Sequence, residues 1–385
     1  MLIGVPKEIM HDEDRVAATP ETCAGFIADG HRVMVETNAG EGAFFHDEQY
    51  IAAGARVVPD SGAIFTEAEV ILKVKEPQLN HRTGTHEAEM LRQGQVLITF
   101  IHPAAPSNHD MVRVLAKRGV TALTLDGVPR ITRAQSMDAL TSMSTCAGYK
   151  GMLMGCDMLP RFVPQIFSAI GMITPASALI VGAGVAGLQA LATAKRLGAR
   201  IFACDIRQDA REQAKSLGAQ IIDVNIPPEQ AVGEGGYAKS LSPDWLKTEQ
   251  EALARRIKEM DLVFLSALIP GKQAPVLMTE EMVKSMKPGA VIVDISIDQG
   301  GNCALTVPGE TTIAHKVHII GIKNIPGLLP ESATSMFAKN VYQLFKYLCR
   351  EGRITLNPED EIVRGILTTR NGEILHQGAR EAMGI

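Results

Sequence analysis

The residues best placed to do chemistry are three glycines and one acidic side chain near the middle of the chain. Gly182, Gly184 and Gly187 have the spacing G-x-G-x-x-G between a short apolar run and a run of good helix formers. Such glycines permit a tight turn, a close approach of pyrophosphate to the backbone, and close packing of the helix. Asp205 follows the next apolar run, where a carboxylate can bind both hydroxyls of a ribose. The pattern predicts a β-α-β unit that binds a dinucleotide at the helix N-terminus.

The acidic residue also predicts which dinucleotide is bound. A carboxylate at Asp205 would repel a 2′-phosphate, so the residue favours NAD(H) over NADP(H). Arg207, two residues further on, is the one reason for doubt, and we expect it to be a solvated charge at the end of a strand. The alternative for the motif as a whole is a glycine-rich turn in some other α/β fold.

Three further places in the first half of the chain carry reactive side chains. Lys75 and His102 each follow an apolar run of strand length, and ligands gather at the carboxyl ends of parallel strands. The loop 129–138, PRITRAQSMD, crowds three charged residues and a glutamine ahead of a long predicted helix, 136–159. An N-terminal helix cap with solvated charges is the structural alternative for this loop.

Composition limits the class of protein. The 385 residues carry a net charge of −5, which gives no sign of a nucleic-acid or anionic-membrane partner. The six cysteines are scattered without a C-x-x-C pair, no cluster of metal ligands stands out, and no signal peptide is visible. These features favour a reduced cytosolic protein. The uncharged stretch 162–194 is long enough to span a bilayer, but prolines, glutamines and glycines interrupt it, so we expect no transmembrane segment.

The elements that must hold these residues alternate between strand and helix along most of the chain, which predicts an α/β fold with mainly parallel sheets. We expect two doubly wound, Rossmann-like domains. The first is discontinuous, built from 1–140 and 327–385, because a long helix from Ser335 should return to it. The second, 141–326, contains the dinucleotide motif. The tail is expected to form a hairpin, with strands at 361–368 and 373–376 around a turn at Asn371-Gly372.

Several motifs identify a family resemblance over nearly the whole chain. They are GVPKE and EDRVAATP near the start, LKVKEP at 72–77, GAGVAGLQA at 182–190, ALIPGK at 267–272, MKPGAVIVD at 286–294 and GGNC at 300–303. Together they resemble the alanine dehydrogenase and pyridine nucleotide transhydrogenase family. Within it, PRITRAQSMD at 129–138, GYAK at 236–239 and GNCALTVPGE at 301–310 are similar to the transhydrogenase branch, in particular to the NAD(H)-binding component of the proton-translocating enzymes.

The resemblance implies two domains with a deep cleft, a homodimer, and a cytoplasmic location on the inner membrane through membrane-spanning partner subunits. Hydride would pass directly between NADH on this chain and NADP⁺ on a partner subunit, without a general acid or base. The resemblance places Arg130, Gln135, Asp138 and Thr141 at the nicotinamide, where Thr141 replaces a serine of the family pattern. The residues expected to bind the cofactor are Gly182, Gly184, Val185, Ala186, Gly187, Asp205, Ile206, Arg207, Gly236, Tyr237, Ala238, Ala267, Leu268 and Asn324.

The other branch of the family requires different chemistry. Alanine dehydrogenase must bind a carboxylate and transfer protons, and this chain matches its residues at four positions. Arg15 and Lys75 would bind the carboxylate, His102 would act as acid and base, and Asp298 would bind the nitrogen derived from ammonia. Each also has a purely structural reading. A third possibility is a regulatory subunit that binds NADH without turnover.

Overall fold

The computed structural model describes residues 1–233, 238–269 and 273–385. The chain divides into two compact units, which we call unit 1 (Met1–Met143 with Gly327–Ile385) and unit 2 (Ser144–Pro326).

The strands of both units are short. They are β1 (Leu2–Val5), β2 (Arg32–Glu36), β3 (Arg56–Val58), β4 (Val70–Leu72), β5 (Leu79–Asn80), β6 (Thr85–His86), β7 (Val96–Thr99), β8 (Thr121–Thr124), β9 (Ile166–Ser168), β10 (Gly171–Ile173), β11 (Ser177–Val181), β12 (Arg200–Cys204), β13 (Gln220–Ile221), β14 (Leu262–Leu265), β15 (Val291–Asp294), β16 (Thr311–Ala314), β17 (Val317–Ile320), β18 (Cys349–Arg350), β19 (Arg353–Ile354), β20 (Leu367–Arg370) and β21 (Glu373–Ile374).

Helices connect most of these strands. The α-helices are α1 (Pro20–Ala28), α2 (Asp47–Ala52), α3 (Ser61–Glu67), α4 (Glu87–Met90), α5 (His109–Lys117), α6 (Ala139–Met158), α7 (Val185–Arg196), α8 (Gln208–Ser216), α9 (Pro228–Ala231), α10 (Pro243–Ile257), α11 (Glu280–Ser285), α12 (Pro330–Leu348), α13 (Glu361–Ile366) and α14 (Gln377–Met383). Short 3₁₀ helices include Leu125–Gly127, Thr132–Met137 and Ile297–Gln299.

Unit 2 contains one seven-stranded sheet with the order β13-β12-β11-β14-β15-β17-β16. All neighbours are parallel except β16, which pairs antiparallel with β17 at the edge. Strands β11, β14 and β15 are buried along their whole length, because a parallel sheet covered on both faces needs nearly continuous apolar runs. When the six parallel strands are numbered from β11, leaving out β16, their order is the doubly wound 3-2-1-4-5-6 arrangement.

Unit 1 repeats this arrangement in an eight-stranded sheet, β21-β20-β8-β7-β4-β1-β2-β3. Its first six strands in sequence are parallel, and β20 and β21 from the C-terminal segment add an antiparallel edge. The predicted α/β class with doubly wound sheets is therefore confirmed.

Two element predictions need correction. The predicted helix 136–159 begins later, at Ala139, because a 3₁₀ helix occupies Thr132–Met137. The tail hairpin is correct only around Asn371-Gly372, where β20 pairs with β21. Residues Glu361–Ile366 form α13 instead of a strand, since the Asp360 side chain accepts a hydrogen bond from Ile362 N at the helix N-terminus and three apolar side chains share a buried face.

The uncharged stretch 162–194 contains a hairpin, β11 and most of α7. The hairpin of β9 and β10 stands apart from the seven-stranded sheet, and its large apolar side chains are exposed: Phe167 by 76% and Ile170 by 93%. No helix in the described part of the chain is both long and apolar enough to cross a membrane.

Candidate functional site

The glycine turn after β11 is shaped by close backbone contacts. Gly182 has a φ of 86°, and a Cβ there would lie 2.8 Å from Ala267 N. A Cβ on Gly187 would lie 1.9 Å from the Gly182 carbonyl oxygen, so both positions require glycine. Gly184 differs, because a Cβ there would meet only Arg207 Nη2, at 4.0 Å. No described side chain caps α7 at this glycine, and the N-terminus of a helix is the kind of group that binds phosphate.

The acidic residue at the end of β12 is held against this turn. Asp205 is 5% exposed, and its Oδ2 accepts a hydrogen bond of 2.8 Å from Ala183 N. Arg207 binds the same carboxylate through Nε at 3.0 Å and Nη2 at 2.9 Å. The expectation that Arg207 is a solvated charge is wrong, since its side chain is 12% exposed. A ribose bound at Asp205 would therefore share the carboxylate oxygens with a guanidinium.

The other residues predicted to bind the cofactor follow the carboxyl ends of neighbouring strands. Val185 and Ala186 open α7, Ile206 follows β12, and Ala267 and Leu268 follow β14. Asn324 follows β17 and has a left-handed φ of 53°. Ala238 forms an isolated bridge with Val232. Two of the predicted positions, Gly236 and Tyr237, lie outside the described residues.

The loop predicted to meet the nicotinamide belongs to unit 1. Asp138 receives hydrogen bonds from Thr141 N at 2.8 Å and Thr141 Oγ1 at 2.6 Å, which makes it the cap of α6. Arg130 and Gln135 are exposed on the same loop. Asp138 and Thr141 thus form the helix cap that was the structural alternative for this loop, whereas Arg130 and Gln135 lie at the surface.

Side chains of the C-terminal segment are hydrogen-bonded to the loop 129–138. Arg133 Nη2 donates to Asp360 and to Glu361, each at 3.1 Å. Asn340 on α12 donates to the Ser136 carbonyl oxygen at 2.9 Å. The shape of the loop therefore depends on residues more than two hundred positions away.

The second predicted site, in unit 1, contains a buried arginine. Arg15 is 2% exposed and binds Glu13 in a two-pronged ion pair, with Nε–Oε1 at 2.6 Å and Nη2–Oε2 at 2.5 Å. Its Nη1 donates to the Met143 sulfur at 2.9 Å. Burial alone would raise the pKa of Glu13, but the hydrogen bonds and charge of Arg15 and the charge of Lys75 together outweigh burial, so the pKa is lowered. A substrate carboxylate must therefore compete with Glu13 for this guanidinium.

His102 forms a pair with an acidic residue that the sequence analysis missed. Its Nδ1 lies 2.8 Å from Asp126 Oδ1, and its backbone N–H donates to Asp126 Oδ2 at 2.7 Å. The ring stacks on Phe100 with a centroid distance of 5.8 Å. Burial alone would lower the pKa of His102 and raise that of Asp126, but their mutual attraction reverses both shifts, so the His102 pKa is raised and the Asp126 pKa falls to about 2. Such a pair leaves Nε2 as the proton-exchanging atom.

The remaining members of the second set are divided between the units. Lys75, half-buried after β4, lies close enough for its charge to lower the pKa of both Glu13 and His102. Asp298 lies in a 3₁₀ helix of unit 2, Ile297–Gln299. The structure thus places Arg15, Lys75 and His102 in one unit. No group of side chains suited to hold a metal ion occurs among the described residues.

Comparison with known proteins defines the family. The model named "Alanine dehydrogenase/PNT, N-terminal domain" matches residues 4–147, and the corresponding C-terminal domain matches 151–377. The chain belongs to the alanine dehydrogenase/PNT family. The resemblance found in the sequence motifs is therefore confirmed.

Relatives cover the chain almost completely. The chain is 41% identical over 379 residues to the first part of NAD(P) transhydrogenase subunit alpha of Rhodospirillum rubrum, covering 98% of both. It is 32% identical to the alanine dehydrogenase of Bacillus subtilis, with coverage of 100% and 95%. The solved structure of a transhydrogenase from Sinorhizobium meliloti superimposes with a TM-score of 0.83 at 34% identity, covering 98% and 99%.

Sequence reasoning also missed three polar residues of this family member. Asp126 follows the apolar strand β8, a position that the rule for strand ends could have flagged. Asn302 lies within the GGNC motif, which was noted only as a resemblance. Glu249 on α10 is 5% exposed, and burial together with the Asp205 charge raises its pKa to about 8. The sequence around Glu249 in α10 did not indicate that this side chain is buried.

Proposed function

We propose that this chain is the NAD(H)-binding subunit of a proton-translocating transhydrogenase, which transfers hydride between NADH and NADP⁺ held by a partner subunit. The observation that carries the proposal is the glycine turn: an uncapped helix N-terminus beside open space at Gly184, with Asp205 bound to Ala183 of the same turn. Full-length similarity to transhydrogenase alpha subunits supports it.

The residues of this chain would bind and orient the cofactor and exclude water. Bound NADH supplies the hydride. The N-terminus of α7 would hold the pyrophosphate, and Asp205 a ribose. The Gln135 side chain is exposed and is not part of the cap formed by Asp138 and Thr141, so its amide can orient the carboxamide of the nicotinamide. Close approach of two nicotinamides replaces acid–base chemistry in this reaction.

The proposed partners are a second copy of this chain and subunits that bind NADP(H) and span the membrane, which would place the chain on the cytoplasmic face. The exposed hairpin of β9 and β10 supports a dimer, because a two-stranded hairpin with bare Phe167 and Ile170 gains stability by burial. Sedimentation should show a dimer for the wild type and a monomer for Ile170→Asp. A dimer that survives this substitution would remove the hairpin from the interface.

The first test of the proposed function is NADH binding followed by transfer. Titration of the chain with NADH and NADPH should show tighter binding of NADH. With the NADP(H)-binding partner added, Gln135→Asn should slow hydride transfer at least about tenfold while leaving NADH affinity within about twofold, because a shorter amide misplaces the ring and not the adenosine. An unchanged transfer rate would remove Gln135 from the mechanism.

One observation favours a second function, an NAD-dependent dehydrogenase for alanine or a related amino acid. Hydride transfer between nicotinamides has no use for the His102–Asp126 pair, whereas oxidation of an amino acid needs a proton acceptor. The chain alone would be mixed with NAD⁺ and L-alanine at alkaline pH. Steady formation of NADH that His102→Ala abolishes would establish this function. No turnover with intact NADH binding is expected, since Glu13 already occupies Arg15.

A further inference from the structure

A buried asparagine side chain, Asn302, is hydrogen-bonded to the backbone N–H and C=O of Ala267, two residues after the end of β14. Asn302 Oδ1 accepts a hydrogen bond of 2.9 Å from Ala267 N, and its Nδ2 donates to the Ala267 carbonyl oxygen at 2.9 Å. The side-chain amide therefore binds both polar groups of one residue, as a neighbouring strand would. Asn302 is fully buried, so water cannot replace these bonds.

The rest of the asparagine is held just as completely. Nδ2 also donates to the Pro275 carbonyl oxygen at 2.8 Å, and Ser296 Oγ donates to Oδ1 at 2.7 Å. The Asn302 backbone N–H donates to Asp294 Oδ2 at 2.8 Å. All hydrogen-bonding groups of the amide are used, which fixes its orientation and joins the segment after β14 to the segment after β15.

The segment that Asn302 holds touches the glycine turn. Ser266 Oγ donates to the Gly182 carbonyl oxygen at 2.8 Å. A Cβ on Gly182 would lie 2.8 Å from Ala267 N, so Ala267 and the turn are in direct contact. A shift of Ala267 therefore displaces the backbone that would receive the pyrophosphate.

We propose that Asn302 is a positioning residue for the nucleotide: it fixes the Ala267 peptide, and through it the glycine turn, in the geometry that binds NADH. The inference rests on the proposed function. It also makes the segments after β14 and β15 one rigid wall of the site.

The other end of β14 supplies a matched control. Asp261 is 5% exposed, accepts from Ser177 N at 2.8 Å, and binds Lys287 at 2.8 Å. It precedes β14 at the amino edge of the sheet, away from the glycine turn. Asp261→Ala thus removes a buried hydrogen-bonding side chain from the same strand of the same sheet without touching the turn.

The experiment measures the Kd for NADH and the melting temperature of the full chain as wild type and as Asn302→Ala, Ser296→Ala and Asp261→Ala. Asn302→Ala should raise the Kd about tenfold or more, because it frees Ala267 to shift. Ser296→Ala, which removes one bond to Asn302 and keeps the amide, should raise it about threefold. Asp261→Ala should lower the melting temperature while leaving the Kd within about twofold.

The outcomes separate this inference from the proposed function. A wild type that does not bind NADH overturns the proposed function itself. A wild type that binds, with Asn302→Ala binding equally well, overturns the positioning role. If Asn302→Ala does not fold, Ser296→Ala decides, and an unchanged Kd in that variant overturns the role. Equal weakening by Asp261→Ala would show a general loss of stability and also overturn it.

Discussion

The two units share one sheet topology and differ in how the first strand leaves the sheet. In unit 2, β11 ends at Val181 and α7 begins at Val185, so the backbone of a glycine turn lines the edge. In unit 1, β1 ends at Val5 and α1 begins only at Pro20. The long connection brings charged side chains, among them Glu8, Glu13 and Arg15, to the corresponding edge.

This difference determines what each edge can bind. A short glycine turn offers backbone N–H groups and a helix N-terminus, which suit phosphate. The long connection of unit 1 instead delivers Glu8 to Lys73, which is fully buried and also binds Glu87, at 3.0 and 3.1 Å. The same strand order thus yields a glycine turn in one unit and an edge filled by buried ionisable side chains in the other.

The largest effect should come from breaking the charged group of unit 1. Lys73→Met leaves two buried carboxylates without their cation and should cost about 3–5 kcal/mol of unfolding free energy. Burial raises the pKa of Glu8 to about 7 even beside the Lys73 charge, and removing that charge raises the pKa further, so the variant should regain stability as the pH falls. Urea denaturation at two pH values measures both effects. The control, E8Q/K73M/E87Q, should be much less destabilised. A loss below about 1 kcal/mol for the single variant would contradict the argument.

The second effect tests the backbone site. Gly187→Ala should destabilise by about 3 kcal/mol, because its Cβ would overlap the Gly182 carbonyl oxygen at 1.9 Å. Gly184→Ala is the matched control: its Cβ would meet only Arg207 Nη2, at 4.0 Å, so stability should change by less than about 1 kcal/mol while NADH binding weakens. Chemical denaturation and NADH titration measure the two quantities. Equal stability losses would show that the two glycines do not have the separate roles assigned here.

The third effect concerns Glu249 in unit 2. Its pKa of about 8 in the folded chain lies above the ordinary 4.5, so the unfolded chain loses this proton first. Its contribution to stability is fully present below about pH 4.5 and is lost as the pH rises through about 8. Glu249→Gln should therefore stabilise by about 2 kcal/mol at pH 8 and have little effect at pH 4.5. Glu251→Gln, exposed on the same helix, should change neither value.

The fourth prediction concerns the His102–Asp126 ion pair in unit 1, whose contribution to stability has a different pH dependence. Asp126 holds its charge down to a pKa of about 2, and the raised pKa of His102 extends its charge upward. The pair contributes most between about pH 4 and 6.5, fading below as Asp126 protonates and above as His102 loses its proton. Asp126→Asn should cost about 1–2 kcal/mol in that window and lower the His102 pKa in an NMR titration. An unshifted histidine titration would contradict the pairing.

The smallest effect tests the cation beside Asp205. Arg207→Ala should free the carboxylate oxygens for ribose and unmask their charge, raising NADH affinity about two- to fivefold and lowering NADPH affinity. Calorimetry measures both. Arg211→Ala is the control, because Arg211 Nη1 donates to the Asp205 carbonyl oxygen at 3.1 Å and leaves the carboxylate alone. A ratio of the two affinities unchanged by Arg207→Ala would leave Arg207 without influence on selectivity.

Local patterns predicted the parts of this molecule that are local in sequence. The β-α-β unit at Gly182, the alternating strands and the turn at Asn371-Gly372 each follow from residues within a few positions of one another. Arg207 and Asp205 are only two residues apart, yet the direction of the guanidinium depends on the packing around it. The sequence analysis therefore wrongly predicted that Arg207 is solvated.

The sequence could not predict contacts between distant segments. Asn302 meets Ala267 because two strand ends adjoin, and Asp126 meets His102 for the same reason. Residues 361–366 were expected to begin a strand at 361–368, because a short segment with three apolar residues fits either period, and the Asp360 cap favours the helix. These contacts follow from which strands are neighbours in the sheet, and the local sequence patterns do not determine that order.

The division of unit 1 between the two ends of the chain has a consequence during synthesis. Unit 2 is complete as polypeptide once Pro326 has been added, whereas β8 lacks its neighbour β20 until translation reaches Leu367–Arg370. At ~5–20 residues per second, the edge of the unit 1 sheet stays open for several seconds after unit 2 can fold. The loop that carries Gln135 also lacks its hydrogen-bond partners Asn340 and Asp360 when Pro326 is added, and it gains them in turn before β20 is made. Unit 2, with its glycine turn, can therefore begin to fold before all the partners of the Gln135 loop have been synthesised.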